Sequence, residues 1–307
     1  MLLSRIVTCY RQWSFIAPWI RDPALHDPEI QWIILNDCPE DPCPPDLLAA
    51  SVERGVEIVE RSHNVGRSNL RNAGVGMARG VWVDNVDGDD LPLPMNLDRL
   101  REVTADVCYF GFRTHSLEGG QIIPRDPSEF IVSDYHPIIY PEHDLKYQMP
   151  VNLLYRKSVF AQLSGYDARY EANEDNHLLW KAYRAGCRLE SIAGAKQSYC
   201  LHDEDAKAEA YYSAVGRIKF CELLLQHHPE HADRIHLVLE RHLARHLVAS
   251  ASFTKRTMLR NQGPECRPIR DGLRTFAPLS RDICLLSEVL PFKARLKLAL
   301  AYLVGRR

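Results

Sequence analysis

A strand-like apolar run that ends directly in carboxylates constrains this chain more than any other stretch. Residues Val81–Pro94 read VWVDNVDGDDLPLP. The β-branched and aromatic start is that of a buried strand. Asp84, Asp87, Asp89 and Asp90 follow, then a proline-marked exit and a helix-like segment. Carboxylates this dense repel one another, so holding them at a strand end calls for compensation. A cation among them would supply it. Oxygen ligands on a short turn suit Mg²⁺ or Mn²⁺, hard ions that also bind phosphate oxygens. A solvated Asp/Gly turn is the other reading, since both are ordinary turn residues. These residues alone leave the two open. An EF-hand loop is excluded on phase. With Gly88 as its sixth residue it would run from Val83 to Pro94, where an acidic ligand is required.

The first half of the chain alternates strand and helix. Ile6–Tyr10 reads as a buried strand and Trp13–Ile20 as a short helix. Ile30–Leu35 is a second strand, and Pro39, Pro42, Pro44 and Pro45 mark the loop after it. Leu47–Arg54 is helical, Val56–Glu60 a third strand and Arg67–Arg79 a helix. Trp82 lies in a fourth strand and Val107–Phe112 forms a fifth. This order predicts an α/β fold with a mostly parallel sheet covered on both faces. Ligands of such sheets bind beyond the carboxyl ends of the strands. Asn36, Asp37, Asn64, Asp87 and Asp89 fall at or just past strand ends, so they are expected to face one crevice. No G-x-G-x-x-G follows the first strand and no P-loop signature is present, which argues against a dinucleotide enzyme or a P-loop NTPase.

Composition narrows the class. The 307 residues are 46% hydrophobic and 25% charged, as in ordinary soluble proteins. No apolar run reaches the ~18 residues needed to cross a bilayer. A strand-like RIVTCY close behind Met1 leaves no room for a signal peptide. Nine scattered cysteines without a CxxC pair fit a reducing, cytoplasmic compartment. The charge is divided unevenly, −10 over residues 1–208 and +8 over 209–307. Such a split is compatible with an acidic catalytic part and a basic tail that meets something anionic, or with a tail that simply has a solvated basic face. No nucleic-acid partner is expected.

Several segments, taken in order, resemble one family. IVTCYRQ is similar to the opening strand and turn of family 2 glycosyltransferases with the GT-A fold, and WIILNDCPED to their second-strand element. HNVGRSNLRNAGVGMARGVWVDNVDGDD resembles the long stretch that ends in their DxD, with Asp87-Gly88-Asp89 at that motif. MPVNLLYRKSVFAQLSGYDARYEANEDNHLLWKAYRAG resembles their acceptor-side block. The resemblance spans roughly two thirds of the chain. It implies a Rossmann-like sheet and a catalytic domain over residues 1–205, while residues 206–307 lie outside it and read as a C-terminal α-helical region.

The same resemblance implies roles. The donor would be a nucleotide-diphospho sugar, with UDP the expected nucleotide. Asp37 matches the acidic residue that hydrogen-bonds the base, and Thr8 and Tyr10 match positions lining the nucleoside. Arg71 matches the arginine that faces the nucleotide, a side chain suited to carbonyl or phosphate oxygens. Asp89 matches the carboxylate that binds Mn²⁺ or Mg²⁺, and Asp87 the one nearer ribose and sugar. His202 matches a histidine that helps to hold metal or diphosphate. Asp175 of the Glu174-Asp175 pair matches the general base of an inverting transfer, which takes the proton of the attacking hydroxyl. Gly165, Tyr166 and Asp167 frame the acceptor side. Without the resemblance, Asp37 reads as an Asx turn, Arg71 as a solvent-facing helix residue, and Glu174 and Asp175 as N-terminal helix carboxylates.

Two positions depart from the family pattern. Arg11 follows Tyr10, and Asn36-Asp37-Cys38-Pro39 stands at the second-strand element, which leaves base specificity open. The Q-x-x-R-W motif of processive synthases is absent, favouring single-sugar transfer to a glycan or lipid-linked acceptor. Residues 207–228 and 231–250 have helical periodicity, broken at Pro229. Their histidines read as surface or packing residues. Leu285–Arg307 mixes apolar and basic residues, compatible with peripheral binding to an anionic membrane face or with a docked helix or dimer contact. A non-catalytic nucleotide-sugar-binding relative or interaction scaffold is the alternative function. The sugar, acceptor and oligomeric state are not specified.

Overall fold

The computed structural model describes residues 1–118, 121–126, 152–170 and 173–200, with short pieces between 220 and 235. The chain divides into two compact units, Met1–Arg169 with Asp175–Leu201, and Tyr170–Glu174 with His202–Arg307. Leu285–Arg307 and His202 lie outside the described residues. Within the helix expected over 207–228, the described residues 220, 221 and 223–227 are helical, and a 3₁₀ turn at Pro229–His231 follows. Among the described residues no helix is long and apolar enough to cross a membrane. The described cysteines, Cys9, Cys38, Cys43, Cys108, Cys187, Cys200 and Cys221, are free thiols.

The first unit is a mixed α/β sheet. Strand β1 (Leu3–Cys9) is buried along its whole length and lies between β2 (Ile30–Asn36) and β4 (Trp82–Asp87), parallel to both. Strand β3 (Val56–Glu60) continues the parallel half beside β2. The period-2 alternation of a strand then sorts side chains to two faces. Ile6, Ile33 and Leu35 join one apolar cluster with Leu70 and Val75 of helix α3 (Arg67–Met77). Val7, Trp32 and Ile34 join another with Trp13, Ile16 and Trp19 of helix α1 (Trp13–Ile20) and Leu47 of helix α2 (Pro45–Glu53). Both faces are therefore covered, as the strand–helix order predicts.

Beyond β4 the sheet turns mixed. Its order is β3-β2-β1-β4-β8-β6-β9-β5, with β7 on β6. Strand β8 (Asn152–Arg156) inserts antiparallel between β4 and β6 (Val107–Glu118). Strand β9 (Leu189–Cys200) runs parallel to β6, and β7 (Gln121–Asp126) antiparallel to it. The sequence confines the last strand to Leu189–Ile192, but β9 is far longer. It continues because β6 pairs with it as far as Cys200, and β5 (Leu91–Pro92), in the segment read as an exit, pairs with it at Ser198 and Gln197. Pro92 is tolerated there because β5 ends the sheet order, where no further partner needs its missing N–H. Helix α4 (Leu97–Glu102) is capped by Asn96, whose side chain accepts from Arg99 N–H. Leu97 and Leu100 pack on Trp82 and Leu154. Helices α5 (Lys157–Gln162) and α6 (Glu174–Arg184) follow in the chain, and Val159, Phe160, Leu178 and Leu179 join the α3 face.

The link from α3 into β4 passes so close to β1 that position 80 must be glycine. A Cβ there would stand 2.5 Å from Ser4 N and 2.6 Å from Leu3 C. Backbone atoms of a central strand cannot move aside cheaply. Gly80→Ala should therefore lower the unfolding free energy by about 1–3 kcal/mol, the usual cost of overpacking, as read from urea denaturation. An unchanged midpoint would show that β1 yields here.

Candidate active site

The carboxyl ends of β1, β2 and β4 meet at the acidic turn. Thr8 stands opposite Asp87 in the β1–β4 register. Its carbonyl accepts from Gly88 N–H at 2.8 Å, and its hydroxyl donates to Asp87 Oδ1 at 3.3 Å. Thr8 thus pins the turn from β1. Tyr10, two residues on, is 49% exposed at the strand end. Arg11 follows in the left-handed region at φ 59°, with its guanidinium over the Tyr10 ring and its Nε donating to Cys38 Sγ.

Asp37 is buried after β2. One of its oxygens accepts from Val65 N–H at 2.8 Å and the other from Gly66 N–H at 3.0 Å. The geometry therefore makes Asp37 the tether of the β3–α3 loop, with only its remaining lone pairs available to a base. Arg71 is also buried rather than facing solvent. Its NH2 donates to Asp87 Oδ1 at 2.5 Å, and its guanidinium lies 5.4 Å from the centre of the Tyr166 ring. Burial is the largest influence on the Asp87 carboxyl and opposes ionisation. The charges of Arg71 and Arg67, with the hydrogen bonds from Arg71 and Thr8, outweigh it and hold the group well below the usual carboxylate range.

Asp89 is half-buried on the turn beside the buried Asp90. Burial, then the charges of Asp87 and Asp89, push Asp90 well above the usual range, with Cys200 N–H and Lys196 opposing. Asp87, Asp89 and Asp90 thus stand close enough to act on one another. The ligands that the turn offers are oxygens only, which fits a hard divalent ion. Among the described residues, no group of three or more His, Cys, Asp or Glu is arranged to hold a metal by itself. An ion of the Mg²⁺ type usually needs one or two carboxylates plus substrate phosphates, so Asp89 and a donor diphosphate would hold it together.

The block around Asp175 comes close to the same turn. Tyr199, at the end of β9, donates its hydroxyl to Asn152 Oδ1 of β8 at 3.0 Å. Its phenol is pushed well above the usual range by burial first, then by Asp90, Asp175 and Asp87, with Arg71 opposing. One phenol thus feels carboxylates from both sequence blocks. Asp175, half-buried in the first turn of α6, accepts from Asn176 N–H at 2.7 Å. Glu174 beside it is buried. Gly165 adopts φ 59°, and Lys181 of α6 donates to the carbonyls of Leu163 and Gly165. Tyr166 is buried, and its backbone N–H and C=O both bond the Asn72 side chain at 2.8 Å. Asp167 is held in a fork by Arg169, which with burial opposing brings its carboxyl down to about 2.

The structure therefore gathers Thr8, Arg71 and Asp87 by direct bonds, with Asp89 on the same turn. It gives Asp37 a tethering bond pattern and leaves Tyr10 open. Asn72, Asn152 and Tyr199 are absent from the sequence-derived site. Asn72 directly follows Arg71 in the motif and had a signal. Tyr199 had none, because it lies beyond the strand boundary that the sequence placed at Ile192.

Comparison with known proteins follows the same lines. The family model described as "Glycosyl transferase family 2" matches residues 4–164. The succinoglycan biosynthesis protein ExoO of Rhizobium meliloti (strain 1021) is 28% identical over 182 residues, 54% of this chain and 51% of that protein. The chain thus spans about half the length of that relative. Among solved structures, the fold resembles S. aureus TarS, with TM-score 0.57 and 17% identity, covering 100% of this chain and 55% of that one. TarS 1–349 in complex with UDP gives TM-score 0.55 and 20% identity over 100% and 90%. The mannosyltransferase PcManGT from Pyrobaculum calidifontis, in complex with GDP-Man and Mn²⁺, gives 0.56 and 12% over 99% and 86%. These last likenesses establish the GT-A fold.

One buried imidazole makes a pH test. His177 of α6 stacks on Trp180. Burial, then Lys181 and Arg169 against Asp167, push its imidazole from 6.5 down to about 4. Between those values the unfolded chain binds the extra proton, so stability is full above the window and falls as pH drops through it. His177→Gln should flatten the unfolding free energy across that window, removing a slope worth up to about 3 kcal/mol. Urea denaturation at a series of pH values measures it, and a slope that persists would place the titrating group elsewhere.

Proposed function

The chain belongs to glycosyl transferase family 2, and we propose that it moves a single sugar, with inversion, from a nucleotide-diphospho donor to a hydroxyl of a glycan or lipid-linked acceptor. The observation that carries this is the bonded turn at the strand ends, where Thr8 and Arg71 both donate to Asp87 Oδ1 beside Asp89, within the stretch that the family model matches. UDP is the proposed nucleotide, since TarS 1–349 is known in complex with UDP and UDP-GlcNAc. The succinoglycan biosynthesis protein supports a polysaccharide setting.

In this reading Tyr10 stacks on the base, and Thr8 and Arg71 hold Asp87 toward the ribose and sugar. Asp37 fixes the loop that closes over the nucleotide. A Mg²⁺ or Mn²⁺ ion at Asp89, with His202 as a further candidate ligand, supplies Lewis-acid stabilisation of the leaving diphosphate. Glu174, Gly165, Tyr166 and Asp167 shape the acceptor side. Asp175 takes the proton of the acceptor hydroxyl as that oxygen attacks the anomeric carbon from the face opposite the diphosphate. Direct displacement of this kind inverts the anomeric centre.

Residues 206–307 form the proposed helical region. Leu285–Arg307, within the stretch of +8 charge, is proposed to rest on an anionic membrane face. Flotation with anionic vesicles should recover the protein, and binding should weaken as salt rises. Failure to float removes the membrane from the reading and leaves the chemistry.

Asp175→Asn should keep UDP binding and lose sugar transfer by about 10²–10⁴-fold, the range of general-base catalysis. A direct transfer assay with NMR of the product anomer tests both parts. Near-normal turnover would move the base elsewhere, and a retained anomer would overturn the single-displacement route.

A further inference from the structure

Lys196 and Gln197 are neighbours on β9 and are 1% and 3% exposed. An ammonium inside a sheet is costly to desolvate, and the proposed reaction makes no use of this one. Its first partner is the Asp84 carboxylate of β4, which is fully buried and also pairs with Arg5 Nε of β1 at 3.2 Å. The same ammonium donates to Gln197 Oε1 at 2.7 Å. An ammonium can only donate, so the amide oxygen must face Lys196 and the amide nitrogen must face away. That nitrogen donates to Asp90 Oδ2 at 2.6 Å. The other oxygen of Asp90 accepts from Cys200 N–H at 3.2 Å. Pro92, two residues after Asp90, is registered against Gln197 itself.

Asp84, Arg5 and Lys196 would satisfy one another as a structural ion cluster without any of this. The continuation through an oriented amide to the residue beside Asp89 is an addition to that cluster. We infer that Gln197, oriented by Lys196, is a positioning residue that sets the acidic turn so that Asp89 meets the cation and donor diphosphate. This rests on the donor-site reading proposed above. Partners behind a metal ligand fix its direction, and their loss typically costs 10–100-fold in metal affinity.

The test is a swap. Gln197→Glu keeps an acceptor for Lys196 and removes the donor to Asp90. Combining it with Asp90→Asn restores the bond with donor and acceptor exchanged, while the oxygen at position 90 still accepts from Cys200 N–H. UDP binding is followed by calorimetry over a range of Mn²⁺ concentrations and in chelator. Amide hydrogen exchange is followed in the peptide covering 87–92. Gln197→Glu should need at least about tenfold more Mn²⁺ for half-maximal tightening of UDP, with binding in chelator unchanged and faster exchange at 87–92. The double variant should recover most of both losses. Gln197→Met keeps the bulk without either bond and should move in the same direction, which covers the case in which the added charge unfolds the sheet. An unchanged Mn²⁺ requirement in Gln197→Glu, or no recovery in the double variant, overturns the inference. If Mn²⁺ does not tighten UDP on the unaltered chain, the metal reading fails on its own. The exchange rates then decide the turn-setting role: acceleration that the swap reverses upholds it, and unchanged exchange overturns it.

Discussion

A carboxylate sealed inside a sheet has to be supplied with cations, and Asp84 takes two. Arg5 reaches it from β1 and Lys196 from β9. Desolvation lowers the affinity of both bases for their protons, while the charge of Asp84 raises it again. Arg5 also donates to the carbonyls of Leu93 and Lys196 and lies over the Trp32 ring. Leaving one member of such a cluster unpaired costs about 3–5 kcal/mol, a large part of a domain's stability. Three strands and the stretch after the acidic turn are therefore stable only together. This ties β9, which comes late in the chain, to the β1–β4 pair that carries the acidic turn.

Helix α3 performs the complementary join. Its consecutive residues Arg71 and Asn72 face different partners, Arg71 the Asp87 carboxylate and Asn72 the backbone of Tyr166. The Arg71 guanidinium also lies over the ring of Tyr166. A shift of this helix would move the acidic turn and the Gly165–Asp167 segment together. In the proposed reaction these serve donor and acceptor, and effective molarity is lost quickly when one reactant drifts.

The parallel half of the fold was legible because its strands are short, apolar and bounded by turn residues. β3 and α1 fall where periodicity places them. The mixed half was not. β8 sits in a stretch whose apolar letters suit helix and strand alike, and β9 contains Lys196 and Gln197, polar residues that read as a strand end when their buried partners are unseen. Those partners are over a hundred positions away, a distance at which local pattern carries no information. The acidic turn was legible as chemistry, since four carboxylates in so short a stretch demand an explanation. The bonds of Asp37 and Arg71 were not, because both answer to groups that only the folded chain brings near.

The contact between Asn72 and Gly165 carries a further consequence. A Cβ at position 165 would stand 2.5 Å from Asn72 Oδ1 and 2.8 Å from the Phe160 ring, and the backbone there is left-handed. The choice of residue at 165 is therefore tied to the side chain at 72. A lineage that gains a side chain at 165 must first shorten or turn away the amide at 72, and so release the loop that the amide holds. The path between the two states passes through a chain with neither. Position 72 is thus the one that can change first, while a side chain at 165 must also meet the left-handed backbone and the Phe160 ring.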